Sequence, residues 1–98
     1  MGGTPRVNSE IRGETLSIKE DMKIFLADEI IRWVNAENGT QGDAAASMGV
    51  TSPRLSNLMN RRLEKFSVDS LMDCLHNIGY VVRMRAEKDK LSITMLYL

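Results

Sequence analysis

Hydrophobic positions along the chain change period twice. Over residues 17–37, Ile18, Met22, Phe25, Leu26, Ile30, Trp33 and Val34 recur every three or four residues. That spacing predicts one long amphipathic helix with Ser17 as its N-cap. Asn38-Gly39 ends it, and Thr40 is placed to cap the next helix. Two short helices follow, over 41–48 and 52–60, the second with Thr51 as N-cap and Pro53 in a first turn that tolerates its missing N–H. Ser67 caps a further helix in which Val68, Leu71, Met72 and Leu75 face inward and Asp69 complements the dipole; Gly79 lies just past its end. The period then drops to two. Val82, Met84 and Ala86 alternate with Arg83 and Arg85, Glu87-Lys88-Asp89-Lys90 forms a polar turn, and Leu91, Ile93, Met95 and Tyr97 alternate with Ser92 and Thr94.

These patterns divide the chain into a flexible arm (1–16), a helical domain (17–79) and a C-terminal β-hairpin (80–98). The arm holds Gly, Pro and mixed charge with no sustained period. An isolated hairpin is marginal in water and its edges invite pairing. Leu96 and Leu98 also fall on the face that should be wet. A second copy of the chain would solve both problems, so the hairpin is expected to mediate a homodimer; the other reading is a hairpin folded back on its own helices in a monomer.

The most constrained stretch is 41–60, QGDAAASMGVTSPRLSNLMN. Counting from Gln41, the fifth residue is Ala45, small where two helices would cross, and the ninth is Gly49, free to turn left-handed where the first helix stops. Ala44, Met48, Val50, Leu55 and Leu58 supply the inward set. A small residue, a glycine and this apolar set together specify a helix-turn-helix unit, whereas two helices of an ordinary bundle would not need all three. Left facing outward are Ser52, Pro53, Arg54, Ser56 and Asn57, groups able to hydrogen-bond base edges and phosphates in a major groove.

At 98 residues the chain makes one domain with one modest core. Its formal charge is zero, from 13 basic and 13 acidic side chains, which argues against a general nucleic-acid coat. The distribution says more. Residues 51–65 carry Arg54, Arg61, Arg62 and Lys65 against Glu64 alone, so positive charge gathers on the second short helix and the loop after it, where a DNA backbone would lie. No apolar run approaches the ~18–20 residues of a membrane span, and the start is not a signal peptide, so a cytoplasmic protein is expected. Catalysis finds little footing. The single Cys74 reads as a small buried hydrophobe, and the single His76 sits near a helix end. Asp69 and Asp73 lack the partners of a metal site, the glycines are turn punctuation, and the seven methionines read as adaptable core. No enzyme, metal or cofactor is expected.

Residues 41–60 resemble the phage-repressor-type (XRE) helix-turn-helix family. The downstream segments Lys65-Phe66-Ser67-Val68-Asp69-Ser70-Leu71 and Ile78-Gly79-Tyr80-Val81-Val82 resemble its HigA-type antitoxin and regulator subgroup. The resemblance spans residues 24–85. It implies a mainly α, lambda-repressor-like bundle of about five helices that binds a near-palindromic DNA operator as a homodimer, in some members while neutralising a toxin protein. It also implies phosphate contacts from Gln41 and from Arg61 or Arg62, and base contacts from Ser52, Arg54, Ser56 and Asn57, with Thr51 and Pro53 at the same tip. Gly42, Asp43 and the run Ala44-Ala45-Ala46 depart from the longer side chains usual there, and the second strand is longer than usual. A toxin partner would be met by the arm or by an acidic helix face of Glu20, Asp21, Asp28 and Glu29. Neutral charge and the short side chains of the first short helix favour the alternative, a protein-interaction module that kept the fold without DNA binding.

Overall fold

The computed structural model describes residues 6–12, 15–37, 39–86 and 90–97, with backbone alone over 6–12 and 15–17. In chain order it runs β1 (Arg6–Arg12), α1 (Thr15–Ala36), α2 (Gln41–Met48), α3 (Ser52–Met59), a 3-10 turn (Leu63–Lys65), α4 (Val68–Asn77), β2 (Tyr80–Ala86) and β3 (Lys90–Tyr97). Where the family resemblance implied about five helices, the described residues form four α-helices and one 3-10 turn, completed by a sheet. Asn38, residues 87–89 of the expected polar turn, and Leu98 lie outside the described residues.

Local chemistry sets the helix boundaries. The Thr40 side chain accepts from the Asp43 backbone N–H at 3.1 Å while Asp43 Oδ2 accepts from the Thr40 N–H at 3.2 Å, a reciprocal cap on α2. Thr51 Oγ1 accepts from Arg54 N–H at 3.3 Å and starts α3. Ser67 and Ser70 close the same reciprocal pattern on α4. Ser17 does not cap α1: that helix starts at Thr15, so Ser17 lies inside it.

One core holds the helices to the sheet. Leu26 and Ile30 of α1, Met48 of α2, Leu55 and Leu58 of α3, Leu71 and Leu75 of α4, and Ile93 and Met95 of β3 are fully buried. Cys74 is buried with them, and burial pushes its thiol pKa up. No helix among the described residues is long and apolar enough to cross a membrane.

The largest departure from the sequence reading is at the start of the chain. Residues 6–12, expected as part of a flexible arm, form a strand that pairs antiparallel with β3, Arg6 opposite Leu96 and Arg12 opposite Lys90. The sheet order is β1-β3-β2, with Tyr80 opposite Tyr97 on the other side. RVNSEIR has little strand signature of its own; β3 supplies the template. β3 is thus hydrogen-bonded on both sides within one chain and Leu96 is half-buried, so the edges of the sheet are β1 and β2.

Candidate nucleic-acid interface

α2 and α3 start side by side. A Cβ placed on Gly42 would sit 3.6 Å from Thr40 Oγ1 and 3.8 Å from Ser52 Oγ, so the capped N-terminus of α2 abuts the first residue of α3. Two positive dipole ends therefore share one corner of the surface, lined by the exposed Gln41, Thr51, Ser52 and Pro53. Ala45 is buried in the core. Gly49 supplies the reversal between α2 and α3 at φ 75. Of the short side chains of α2, Ala44 and Ala45 are buried and Gly42 faces Ser52, while Ala46 is exposed.

Helical phase decides what α3 presents outward. With Leu55 and Leu58 buried and about 100° per residue, Pro53 and Asn57 lie opposite the core, with Ser56 and Asn60 beside them. Pro53 and Asn60 are exposed, Ser56 and Asn57 half-buried. Asn60, absent from the sequence-derived set, donates from Nδ2 to the Ser56 carbonyl at 3.0 Å and so shares the outer face.

Arg54 takes a different course from the outward one expected. It lies on the flank of α3, and its guanidinium carbon stands 4.3 Å from the centroid of the Phe66 ring. Nη1 also reaches the Lys65 carbonyl at 3.5 Å. That seat, a cation over an aromatic face, draws the side chain toward the start of α4.

The loop after α3 holds the other two arginines. Arg61 N–H donates to the Leu58 carbonyl and Arg62 N–H to that of Asn57, both at 2.9 Å, which makes a Schellman end for α3. α2 ends the same way, with Gly49 bonded to Ala46 and Val50 to Ala45. In α2 the left-handed position is glycine; in α3 it is Arg61, at φ 59. Arg61 is also ion-paired with Asp28 of α1, which holds the loop against that helix. Arg62 is exposed and has no ion pair among the described residues. Asp28, Phe66 and Asn60 shape the site; the sequence offers Asp28 as part of an acidic face for a toxin partner and Phe66 only within the family-like segment 65–71, and it assigns Asn60 no contact.

That acidic face is largely engaged. Glu29 is 6% exposed and bonded to Tyr80 and Arg32, and Asp28 holds Arg61, which leaves Glu20 and Asp21 exposed.

Comparison with known proteins agrees with this geometry. A family model described as a helix-turn-helix domain matches residues 8–87. No curated protein matches the chain. A solved structure described as an XRE-family transcriptional regulator is 31% identical, superposes with a TM-score of 0.67, and is matched over 72% of this chain and 80% of its own. With the family model covering most of its length, the chain belongs to the XRE family of helix-turn-helix proteins.

Proposed function

We propose that the protein is a sequence-specific DNA-binding transcriptional regulator that represses by occupying an operator. The observation that carries this reading is the shared corner of α2 and α3, where two capped helix starts and the exposed Gln41, Thr51, Ser52 and Pro53 face the same solvent. Ser52, Pro53, Ser56 and Asn57 meet base edges; Gln41, Thr51 and Arg62 meet phosphates; Arg61 joins them after leaving Asp28. The XRE regulator described above supports the same reading.

Operator binding engages two copies. α3 has eight residues and spans about 12 Å, enough to read only a few base pairs. Two recognition helices about 34 Å apart on successive turns of a near-palindromic site give the specificity one cannot. A toxin-neutralising role would use the N-terminal segment or the acidic face of α1, where Glu20 and Asp21 are exposed; stoichiometric co-purification with a neighbouring gene product is its test.

The direct test is selection from a randomised duplex library, followed by titration of the enriched duplex at two salt concentrations. The reading requires a two-fold-symmetric consensus and binding that weakens steeply with salt. Failure to enrich any duplex would leave the interaction-module reading in its place.

A further inference from the structure

We propose that Arg54 is a positioning residue, which fixes the recognition helix and the basic loop relative to α4 through Phe66 and touches no base itself. The inference rests on the DNA-binding reading for its functional consequence, but its structural half stands alone.

Three observations carry it. First, phase: the outward direction of α3 belongs to Pro53 and Asn57, and Arg54 sits on the flank. Second, the seat: the guanidinium covers the Phe66 ring at 4.3 Å and reaches the Lys65 carbonyl, while Phe66 is itself 3% exposed and part of the core. Third, the gap: α3 packs against α2, α1 and the 3-10 turn, and a cleft of about 400 Å³ lies between Arg54 with the α2–α3 turn and the Ser70, Asp73 and Asn77 side of α4. Arg54 crosses from α3 to the residues that lead into α4. The backbone from Arg61 to Lys65 runs between its two attachment points, so releasing Arg54 loosens the segment that carries Arg61 and Arg62.

A buried ring cannot contact DNA, and this separates positioning from direct contact. The variants are Arg54→Met, Phe66→Leu, their combination, and Arg54→Lys, which keeps a cation on the ring. Each is put through selection from a randomised duplex library, then titrated against the duplex enriched by the unmodified protein. Arg54→Met and Phe66→Leu should each weaken binding by about five-fold and lower the salt slope alike, and the double variant should be no weaker than either. Arg54→Lys should restore most of the affinity, and all four should enrich the same consensus. If Arg54→Met changes the enriched base at one position while Phe66→Leu does not, Arg54 reads that base and the proposal is overturned; additive losses in the double variant overturn it equally. A urea-unfolding cycle on the same four variants needs no DNA: it should show coupling between Arg54 and Phe66, and additivity there would remove the clamp. Loss of all enrichment by the unmodified protein would instead refute the DNA-binding reading, with the clamp still decided by the unfolding cycle.

Discussion

The Tyr80 hydroxyl donates to Glu29 Oε2 across 2.6 Å, joining the first residue of β2 to the middle of α1. Glu29 is the buried charged residue of the core region, and its other oxygen is held by Arg32. The Tyr80 ring also leans on the Tyr97 ring at 4.9 Å, so this one side chain ties the helix to both C-terminal strands.

Tyr80→Phe should therefore cost about 1–3 kcal/mol, because it leaves a buried carboxylate short of a donor. Burial first, then the Glu29 hydrogen bond and charge, raise the Tyr80 pKa. The folded state thus keeps a proton that the unfolded chain gives up near pH 10. The stability this contributes is complete below pH 10 and is lost as pH rises toward the higher folded-state value. Urea unfolding from pH 8 to 11 should show that decline, and Tyr80→Phe should flatten it.

Glycine matters at one end of α2 and not at the other. Gly49 has φ 75, and a Cβ there would approach Asn77 Nδ2 to 3.0 Å, disturbing the 2.8 Å bond from that nitrogen to the Met48 carbonyl. Gly49→Ala should destabilise by about 1–2 kcal/mol. Gly42→Ala meets only ordinary contacts and should stabilise by up to about 1 kcal/mol through helix propensity. Thermal unfolding of the pair should move in opposite directions.

Arg61 occupies a left-handed position that costs a non-glycine residue about 1 kcal/mol. Arg61→Gly should raise folding stability, net of a weak exposed ion pair, while weakening DNA binding and reducing the salt slope by about one. Unfolding and anisotropy titration of one variant check both halves. A loss of stability would mean that the Asp28 contact outweighs backbone strain.

Under the proposed reading, Asp28 and a DNA phosphate compete for Arg61, which is ion-paired with Asp28 in the free protein. Asp28→Asn should change stability by less than about 1 kcal/mol, since both side chains are substantially exposed. It should also tighten binding to random duplex DNA and steepen the salt dependence. Unchanged affinity at low salt would show that Arg61 is not a phosphate contact.

The starts of α2, α3 and α4 were legible because their causes are local, whereas the start of α1 at Thr15 was not. Thr40, Thr51 and Ser67 accept from N–H groups three residues on, and Gly49 supplies its own turn, so a window of a few residues contains the whole cause. What escaped the sequence lies in partners far along the chain. Glu29 reads as a solvated acid until Tyr80, 51 positions later, closes over it. Asp28 and Arg61 are 33 positions apart, and the Arg54 seat requires the loop to bring Phe66 back. β1 is the extreme case: a mixed-charge heptapeptide that becomes a strand only when β3 offers its edge.

Pairing Arg6 with Leu96 sets residues nearly the whole sequence apart on adjacent, antiparallel backbones. The fold could therefore be rewired. A short linker from the region after Tyr97 to that before Arg6, with new termini opened between α1 and α2, would turn the longest-range strand pair into a local hairpin while β2 and β3 stay joined. Such a circular permutant keeps the same architecture while its contact order falls, and it should fold faster than the parent chain.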